Sequence, residues 1–458
     1  MGFIIAIPAL IAAWMSLRES PARAFLNVYV PVLLLLPEYY RWVIPALPDP
    51  TFSEAAILPV AWVFFSREAR NWKFSLLDLL IVLFALAVGV SQYVNAGYGD
   101  AQNLMFDMIG TIVLPYAVAK GLIEPKGLRV VFARRFVFLL FVVSLINVYE
   151  FKMGITPWSL TIGRLFPGQG EGWVTTFRYG FARTAGPYGH AILAGLILIL
   201  GFRIQRWLEW SGYWEPRFQG LPDLPLPKAR IITLGLLAGI LMTLVRGPWT
   251  GGIAGAILTA TGLARNRKRA LLLMVAGIVL IGVPLFSAFL SYASVGRANA
   301  KTDSQETAAY RYELIMKYWD IVMERPQLGW GLTTWPKVGG MPSIDNYYLL
   351  LALMHGLFAD TVLILIILIM PFRLIRHDMQ QPPPARRGGS LGFTLAGVFI
   401  VFGVTIATVY MGMTAVPVFA ILAGWAEGYL LTAPQTHAVL RTAPALASRP
   451  FSFRRVVV

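Results

Sequence analysis

The sequence predicts an all-α integral membrane protein with about 11 to 13 transmembrane helices. Of its 458 residues, 57% are hydrophobic and only 14% are charged, and the mean hydropathy is +0.64. A soluble domain carries about 25% charged residues, so this chain has too few charges to cover a water-exposed surface. Much of it consists of uncharged runs that approach the roughly 17 to 25 residues needed to cross a bilayer as a helix.

Thirteen apolar runs are bounded by charged residues, proline or glycine. The first run has neither a basic start nor a small-residue cleavage site, so it predicts a retained helix. Because the second and third runs are short, the expected count begins at 11. The runs are 2–17, 24–37, 52–66, 76–95, 103–119, 129–149, 187–203, 230–245, 248–263, 270–291, 346–370, 391–411 and 414–432.

The formal net charge of +16 would suggest a nucleic-acid partner in a soluble protein. Short basic loops of membrane proteins stay in the cytoplasm. The loop after residue 263 carries Arg265, Arg267, Lys268 and Arg269, and the loop after 372 carries Arg373, Arg376, Arg386 and Arg387. Counting outward from these loops puts most basic residues and the C-terminus inside. The charge is therefore explained by topology. We expect a multi-pass protein of a bacterial inner membrane and no nucleic-acid partner.

Two predicted external segments are long, 150–186 and 292–345, and both are rich in aromatic residues and glycine. The second contains a predicted helix at 306–325, with an apolar stripe formed by Leu314, Ile315, Tyr318, Trp319 and Val322. Arg311 falls near the middle of this stripe. A buried guanidinium is costly unless it is paired, so we expect Arg311 to meet either an acid of the protein or an anionic ligand.

More arginines occur where the predicted spans begin on the external side. Arg178 and Arg183 precede Pro187, which suits the first turn of the seventh span and would put His190 one turn into that helix. Arg246 lies in a predicted tight hairpin between the eighth and ninth spans. Planar guanidinium groups suit bidentate binding of phosphate or carboxylate. The competing interpretation is that these side chains reach toward lipid headgroups.

Two acidic residues at the same external level of the membrane are candidates for acid/base chemistry. Asp345 precedes the eleventh span, either as an ordinary helix cap or as a general base. Glu150, at the outer end of the sixth span, is expected to pair with an arginine, with an acid/base role as the alternative. The sequence has no cysteine, no D-x-D pair, no phosphate-binding GxxxxGK[ST] loop and no HExxH motif. We therefore expect no metal and no cofactor.

Four segments in order resemble the O-antigen ligase and polysaccharide polymerase superfamily. The resemblance covers roughly residues 150–372. It implies a GT-C-like glycosyltransferase that takes a glycan from undecaprenyl diphosphate on the periplasmic side and joins it to a hydroxyl of a growing glycan or of a lipid A core. The segments are RTAGPYGHAILAG (183–195), LVRGPWTGG (244–252), RYELIMKYWDIVMERPQLGWG (311–331) and IDNYYLLLALMHGLF (344–358).

The resemblance also implies roles for single residues. Arg183, Arg246 and Arg311, with Arg178, would bind the donor diphosphate, and Asp345 would be the base with His190 as the next candidate. Glu150 and Tyr347 would support the site. The ligases have histidine where this chain has Asp345, which favours the polymerase branch.

The same resemblance implies the organisation of the chain and its partners. Transmembrane helices (1–149) would precede a catalytic region (150–372), which a cytoplasmic basic loop (373–390), two further transmembrane helices (391–432) and a basic cytoplasmic tail (433–458) would follow. A flippase and a chain-length regulator would be partners of a polymerase.

Two other function classes compete with this interpretation. A lipid-linked-oligosaccharide flippase or other transporter is expected to show internal repeats and a site at the middle of the membrane, whereas the arginines here lie on one predicted face and no repeat is evident. A peptidoglycan glycosyltransferase of the shape-elongation-division type would need an aspartate in a large external loop. Asp303 and Asp320 are available, but Asp320 falls on the polar face of its predicted helix.

Overall fold

The computed structural model describes residues 2–45, 47–169, 175–218, 225–381 and 388–432. Each of the thirteen predicted runs lies largely in a helix, and the helix predicted at 306–325 is also present. Arg386, Arg387 and the predicted tail at 433–458 lie outside the described residues. The longer helices are α1 (Gly2–Arg18), α2 (Pro21–Leu35), α3 (Phe52–Arg67), α4 (Leu76–Ala96), α5 (Tyr98–Leu122), α6 (Arg129–Met153), α7 (Ala191–Trp210), α8 (Lys228–Met242), α9 (Arg246–Leu263), α10 (Arg267–Ala293), α11 (Asp303–Glu324), α12 (Tyr347–Met379), α13 (Leu391–Ile406) and α14 (Ala415–Leu431). A helix of five residues, Pro157–Thr161, lies between α6 and α7.

Six of the described helices are long and apolar enough to cross a membrane: α4, α5, α6, α7, α10 and α12. Four shorter apolar helices, α1, α2, α13 and α14, accompany them. This composition fits an all-α membrane protein. The predicted 11 to 13 spans exceed the six because α1, α2, α13 and α14, like α3 with 16 residues and α8 with 15, are short for a hydrocarbon core of about 30 Å. Helix α9 has 18 residues but is not apolar enough to be counted. The span count stays a prediction.

The segments that connect the helices gather at two ends of the bundle. At one end, the backbone N–H of Arg41 donates to Gln169 Oε1 at 2.8 Å, which joins two segments predicted to be external. At the other end, Lys120 Nζ donates to the Lys73 carbonyl at 2.9 Å, which joins two segments predicted to be internal. We call the first of these the site end. The alternation of loops agrees with the predicted order, while the membrane face of each end stays a prediction.

Two glycines let α9 and α13 pack at close range. A Cβ at Gly255 would lie 2.6 Å from the carbonyl oxygen of Gly397, and a Cβ at Gly397 would lie 2.7 Å from the carbonyl oxygen of Gly255. Small residues allow such close backbone approach between apolar helices. This contact holds α9, which begins at Arg246, against the centre of the bundle.

Helix α11 begins after Thr302, whose side chain accepts the Gln305 N–H. Leu314, Tyr318 and Val322 are buried as predicted, against a layer that includes Met341, Ile344, Leu349 and Leu353. Ile315 and Trp319 are 44% and 48% exposed, so the predicted stripe was too wide. Ile315 and Trp319 each follow a buried residue by one position. One position corresponds to a rotation of about 100° around the helix, which takes both side chains out of the buried face of α11.

Helix α12 is broken at Gly356, which has φ 82° and ψ 169°. The segment 326–331 fills the break: a Cβ at Gly356 would lie 2.2 Å from the Gln327 carbonyl oxygen. Three backbone hydrogen bonds join this segment to α12. The N–H groups of Trp330 and Gly331 donate to the carbonyls of Leu353 and Met354, each at 2.8 Å, and the Leu357 N–H donates to the Pro326 carbonyl at 2.6 Å. The E-x-P-x-x-G-x-G stretch therefore fixes the loop after α11 onto the first turns of α12, where Asp345 precedes the helix.

Candidate functional site

A short β-hairpin positions two of the predicted arginines. Its strands, Phe177–Arg178 and Phe181–Ala182, are antiparallel, and its turn residues Tyr179 and Gly180 have φ of 55° and 80°, as two-residue hairpins require. Arg178 Nη1 donates to the Leu244 carbonyl at 2.6 Å. This bond ties the hairpin to the turn between α8 and α9. The sequence analysis did not predict the strands, since two residues per strand give no alternating pattern.

Arg183 follows the hairpin and is half-buried. Its Nη1 donates to Thr176 Oγ1 at 3.2 Å, and its Nε is buried with no hydrogen-bond partner among the described residues. Burial, and secondarily the charge of Arg178, lower the pKa of the Arg183 guanidinium. Arginine nevertheless stays protonated at any relevant pH. Two neighbouring positive charges are therefore held together with only neutral acceptors around them.

Glu150, the last acid of α6, does not bind an arginine. Its two carboxylate oxygens accept the backbone N–H groups of Ala185 and Gly186, each at 2.9 Å, and the residue is fully buried. Gly186 has φ +56°, and a Cβ there would lie 2.9 Å from Asn147 Oδ1. Glu150 therefore anchors the backbone that carries Arg183, which is a supporting contact of a different kind from the predicted salt bridge.

His190 caps α7 and does not lie one turn inside it. Pro187 is part of a 3₁₀ turn, Gly186–Tyr188, and Gly189 has φ 68°, so the α-helix begins only at Ala191. The His190 Nδ1 accepts the Ile192 N–H at 3.1 Å. A nitrogen that accepts carries no proton, so the neutral ring has its hydrogen on Nε2; this tautomer is assigned from the hydrogen bond.

The electrostatic surroundings of His190 place it between opposite charges. Burial and then Arg183 lower the pKa of His190 to about 4, while Asp345 opposes the shift. Both residues therefore lie near the imidazole. The ring also lies edge-on to Tyr410, with 6.5 Å between the ring centroids.

Asp345 is not the cap of α12. Asn346 takes that position, with its Oδ1 accepting the Leu349 N–H at 3.3 Å. Asp345 Oδ1 accepts a hydrogen bond from Ser343 Oγ at 3.0 Å, and the described residues donate none to Oδ2. Asp345 lines an open cavity of about 690 Å³ together with His190 and Tyr410. The absence of a cap bond leaves its carboxylate available to a ligand.

Arg246 is exposed at the first turn of α9. The turn before it contains Leu244 with φ 50°, and α8 ends at Met242, so the connection is tight, as predicted. The two helices do not form the predicted hairpin, because α8 packs on α6 and α7 whereas α9 packs on α13 and α7. Arg246 Nη2 lies 3.4 Å from the hydroxyl of Tyr179, next to Arg178 in the β-hairpin. We call the five residues that these contacts and charges bring together the cationic site: Arg178, Arg183, His190, Arg246 and Asp345.

Arg311 is half-buried on α11, and its Nε is buried without a partner among the described residues. No carboxylate of those residues forms a salt bridge with it, so the structure does not support the intramolecular ion pair. Among the described residues, no hydrogen bond links it to the cationic site. Its neighbour Tyr310 bonds to the backbone of Ser343, whose hydroxyl donates to Asp345.

Some other arginines of the bundle are neutralised by carboxylates. Arg41 binds Asp107 through both terminal nitrogens, at 2.8 and 3.1 Å, and Arg373 binds the buried Glu427 in the same way, at 2.7 and 2.9 Å. Within the described residues, Arg178, Arg183, Arg246 and Arg311 form no such pair. The charge of the four predicted anion-binding arginines is therefore not compensated by a carboxylate of the described residues, a property they share with other arginines such as Arg325, whose Nη1 donates to Asn95 Oδ1.

Tyr347 lies apart from these arginines. It lines a second, mainly apolar cavity in the bundle, which shares Leu350 and Tyr410 with the open cavity. Tyr179, Ser343 and Tyr410 were missed by the sequence analysis. Tyr410 was assigned to a span predicted to reach 411, whereas α13 ends at Ile406.

Comparison with known families gives one match. Residues 231–364 match the family model described as O-antigen ligase, which confirms the resemblance to the O-antigen ligase-like superfamily. The matched region includes Arg246, Arg311 and Asp345, while Arg178, Arg183 and His190 precede it. A search of curated proteins finds no match to the chain. The match supports a membrane function of the O-antigen ligase or polymerase type, and with it a glycosyltransferase-like enzyme that uses lipid-linked glycans.

Proposed function

We propose that this protein is a GT-C-like glycosyltransferase that transfers or polymerises a glycan carried on undecaprenyl diphosphate, at the periplasmic face of a bacterial inner membrane. The observation that carries this proposal is the group of arginines with no carboxylate partner beside an aspartate and a histidine in an open cavity. A phosphate-rich donor supplies the negative charge that this arrangement lacks.

Arg178, Arg183 and Arg246 would hold the donor diphosphate, with Arg311 approaching from α11. When the glycosidic bond to the diphosphate breaks, negative charge builds up on the leaving oxygen. Fixed donors aimed at developing charge are among the most effective catalytic devices. The arginines are held by neutral acceptors, so their full charge remains available for the leaving group. The diphosphate leaves with that charge, and no metal is needed in this scheme.

The proton of the acceptor hydroxyl would pass to Asp345. The nucleophile must lie within hydrogen-bond reach of its base, and Asp345 Oδ2 has no competing donor among the described residues. His190 is a weaker candidate because its Nδ1 accepts the Ile192 N–H, which leaves Nε2 as a donor. We therefore propose Asp345 as the base.

The test is transfer by the purified full-length protein in proteoliposomes supplied with a lipid-linked oligosaccharide. Charge-assisted hydrogen bonds contribute about 1.5–3 kcal/mol each, so Arg183→Gln, Arg246→Gln and Arg311→Gln should each weaken donor binding about tenfold or more. Asp345→Asn should lower turnover with little change in donor binding. Lys317→Gln is the matched control, since Lys317 is an exposed cation on the same helix as Arg311, with Glu313 at 3.6 Å. Wild-type donor affinity in all three arginine variants would contradict the proposed diphosphate site.

The nature of the acceptor separates two versions of this reaction. Ladders of product that lengthen with time indicate a polymerase, whereas a single addition to a lipid A core indicates a ligase. We favour the polymerase because aspartate stands where the ligases carry histidine, and we expect a flippase and a chain-length regulator as its partners. Movement of labelled lipid across the vesicle without any new glycosidic bond would indicate a transporter instead.

A further inference from the structure

A second cavity at the site end, separate from the cationic site, contains an unusual concentration of acid. It has a volume of about 310 Å³, at the lower end of the roughly 300–1,000 Å³ typical of ligand pockets. Three carboxylates and one guanidinium line it, together with two threonines, a histidine and many aliphatic and aromatic side chains. The charged lining residues are Glu38, Arg41, Glu54 and Asp107, and the neutral polar ones include Thr51, Thr111 and His355.

Two of these carboxylates present an oxygen without a partner. Glu38 Oε2 accepts the hydroxyls of Thr51 at 2.8 Å and Ser53 at 2.7 Å, and Glu54 Oε2 accepts the Thr51 N–H at 2.8 Å. The Oε1 atoms of both glutamates are buried and have no hydrogen-bond partner among the described residues. Glu38 is 5% exposed and Glu54 is fully buried. Hydrogen bonds thus orient each carboxylate while leaving one acceptor free.

The guanidinium of Arg41, the cation among the described residues that line this cavity, is already occupied. Arg41 binds both oxygens of Asp107 and also the Asp49 carbonyl at 3.0 Å, so it has little capacity left for Glu38 or Glu54. Unpaired buried charge is costly, and burial raises the pKa of Glu38 to about 7. A ligand with hydrogen-bond donors and a positive charge would supply both a donor for the free carboxylate oxygens and a counter-ion for the buried carboxylates.

We propose that this cavity binds the ammonium group of an amphiphilic amine, with its N–H groups donating to Glu38 Oε1 and Glu54 Oε1 and its hydrocarbon part lying along the apolar walls. An ammonium group has three donors and no acceptor. A phosphate without an amine is disfavoured, because it would itself face the carboxylates. A hard metal cation such as calcium needs six to eight oxygen ligands, more than the two free carboxylate oxygens supply.

The amine has two possible sources, an aminophospholipid of the surrounding bilayer or an amino sugar of a lipid-linked glycan. The apolar walls, which include Ile81, Phe84, Val88 and Leu363, match a hydrocarbon chain in either case. Leu350 and Tyr410 line both this cavity and the open one, so the two sites are neighbours. None of the carboxylates belongs to the cationic site, and the proposal therefore stands or falls separately from the proposed function.

The experiment measures binding of three single-chain probes to the full-length protein in phosphatidylcholine nanodiscs, with empty nanodiscs subtracted. Dodecylamine should bind at least tenfold more tightly than dodecanol, and dodecyl phosphate should bind more weakly than either. The double change Glu38→Gln and Glu54→Gln should reduce the preference for the amine to about threefold or less. Glu324→Gln, an exposed carboxylate on α11, is the matched control and should leave the preference unchanged.

Competition identifies the source of the amine. Phosphatidylethanolamine added to the nanodisc should displace dodecylamine if the ligand is a lipid, and soluble glucosamine should displace it if the ligand is a sugar. Equal affinity of the wild-type protein for dodecylamine and dodecanol would overturn the proposal. That comparison uses only unmodified protein, so it holds even where the glutamate variants fail to fold.

Discussion

The replacement Glu150→Gln tests how the cationic site is held in place. Glu150 is fully buried, and each of its carboxylate oxygens accepts one backbone N–H, from Ala185 and from Gly186. Glutamine has nearly the same shape but only one acceptor oxygen. Its NH₂ group would face one of the two amides, so donor would meet donor.

The size of the effect follows from these two bonds. A hydrogen bond to a charged group contributes about 1.5–3 kcal/mol, and the variant loses at least one of them. Since 1.4 kcal/mol corresponds to a factor of ten, local opening of the segment 183–190 should become roughly 10 to 150 times more frequent. Transfer activity should fall with it, because Arg183 and His190 lie on this segment.

Hydrogen exchange followed by mass spectrometry on the reconstituted protein measures this opening directly. The peptide that contains residues 183–190 should exchange roughly 10 to 150 times faster in Glu150→Gln, while peptides from α3 keep their wild-type rates. Glu209→Gln is the control, since Glu209 lies at the other end of the bundle and binds Arg206 and Thr233. Unchanged exchange at 183–190 in a folded Glu150→Gln protein would refute the anchoring role.

Three further outcomes follow from other contacts. Gly356→Ala should sharply lower the yield of folded protein in a detergent size-exclusion assay, because the new Cβ would lie 2.2 Å from the Gln327 carbonyl oxygen at a φ of 82°. The pKa of His190 is about 4 in the folded protein and near 6.5 in the unfolded chain. Between these pH values the unfolded chain binds one proton more than the folded protein, so the stability measured by thermal unfolding should fall as the pH drops from about 6.5 to 4. Arg183→Gln should raise that pKa in an NMR titration, and an unmoved pKa would contradict their proximity. Lys120→Met should cost about 3–5 kcal/mol in unfolding experiments, because it leaves the buried Asp78, now 2.6 Å from Lys120 Nζ, without its counter-ion; a cost below about 1 kcal/mol would contradict this.

Hydropathy was enough to predict the helices but not their ends. Apolar length is written directly into the sequence, so all thirteen runs were found as helices. The ends depend on single turns: α7 starts at Ala191 because Gly189 adopts a positive φ, and that displaced His190 from the helix interior to its cap. The Arg311 position on a helix after the tenth run was also predictable, since α11 has a helical repeat of its own.

The contacts within the site could not be predicted in the same way. The sequence suggested that Glu150 pairs with an arginine, because opposite charges at the same level of a membrane usually pair. In the folded protein, two buried backbone amides bind the Glu150 carboxylate instead. The hairpin that carries Arg178 is too short to leave a pattern. Arg178 also reaches Leu244 across 66 residues of chain, and no local rule connects those positions.

The acceptors around the arginines explain how several positive charges can be kept ready for a ligand. Arg178 binds a carbonyl, Arg183 a threonine hydroxyl and Arg246 a tyrosine hydroxyl, at distances of 2.6 to 3.4 Å. Neutral acceptors orient a guanidinium without cancelling its charge, whereas a carboxylate would do both. Glu150, a buried acid on the neighbouring helix α6, accepts two backbone amides and forms no ion pair with Arg183 among the described residues. The same contact that fixes the segment therefore preserves its positive charge, which is what binding a diphosphate requires.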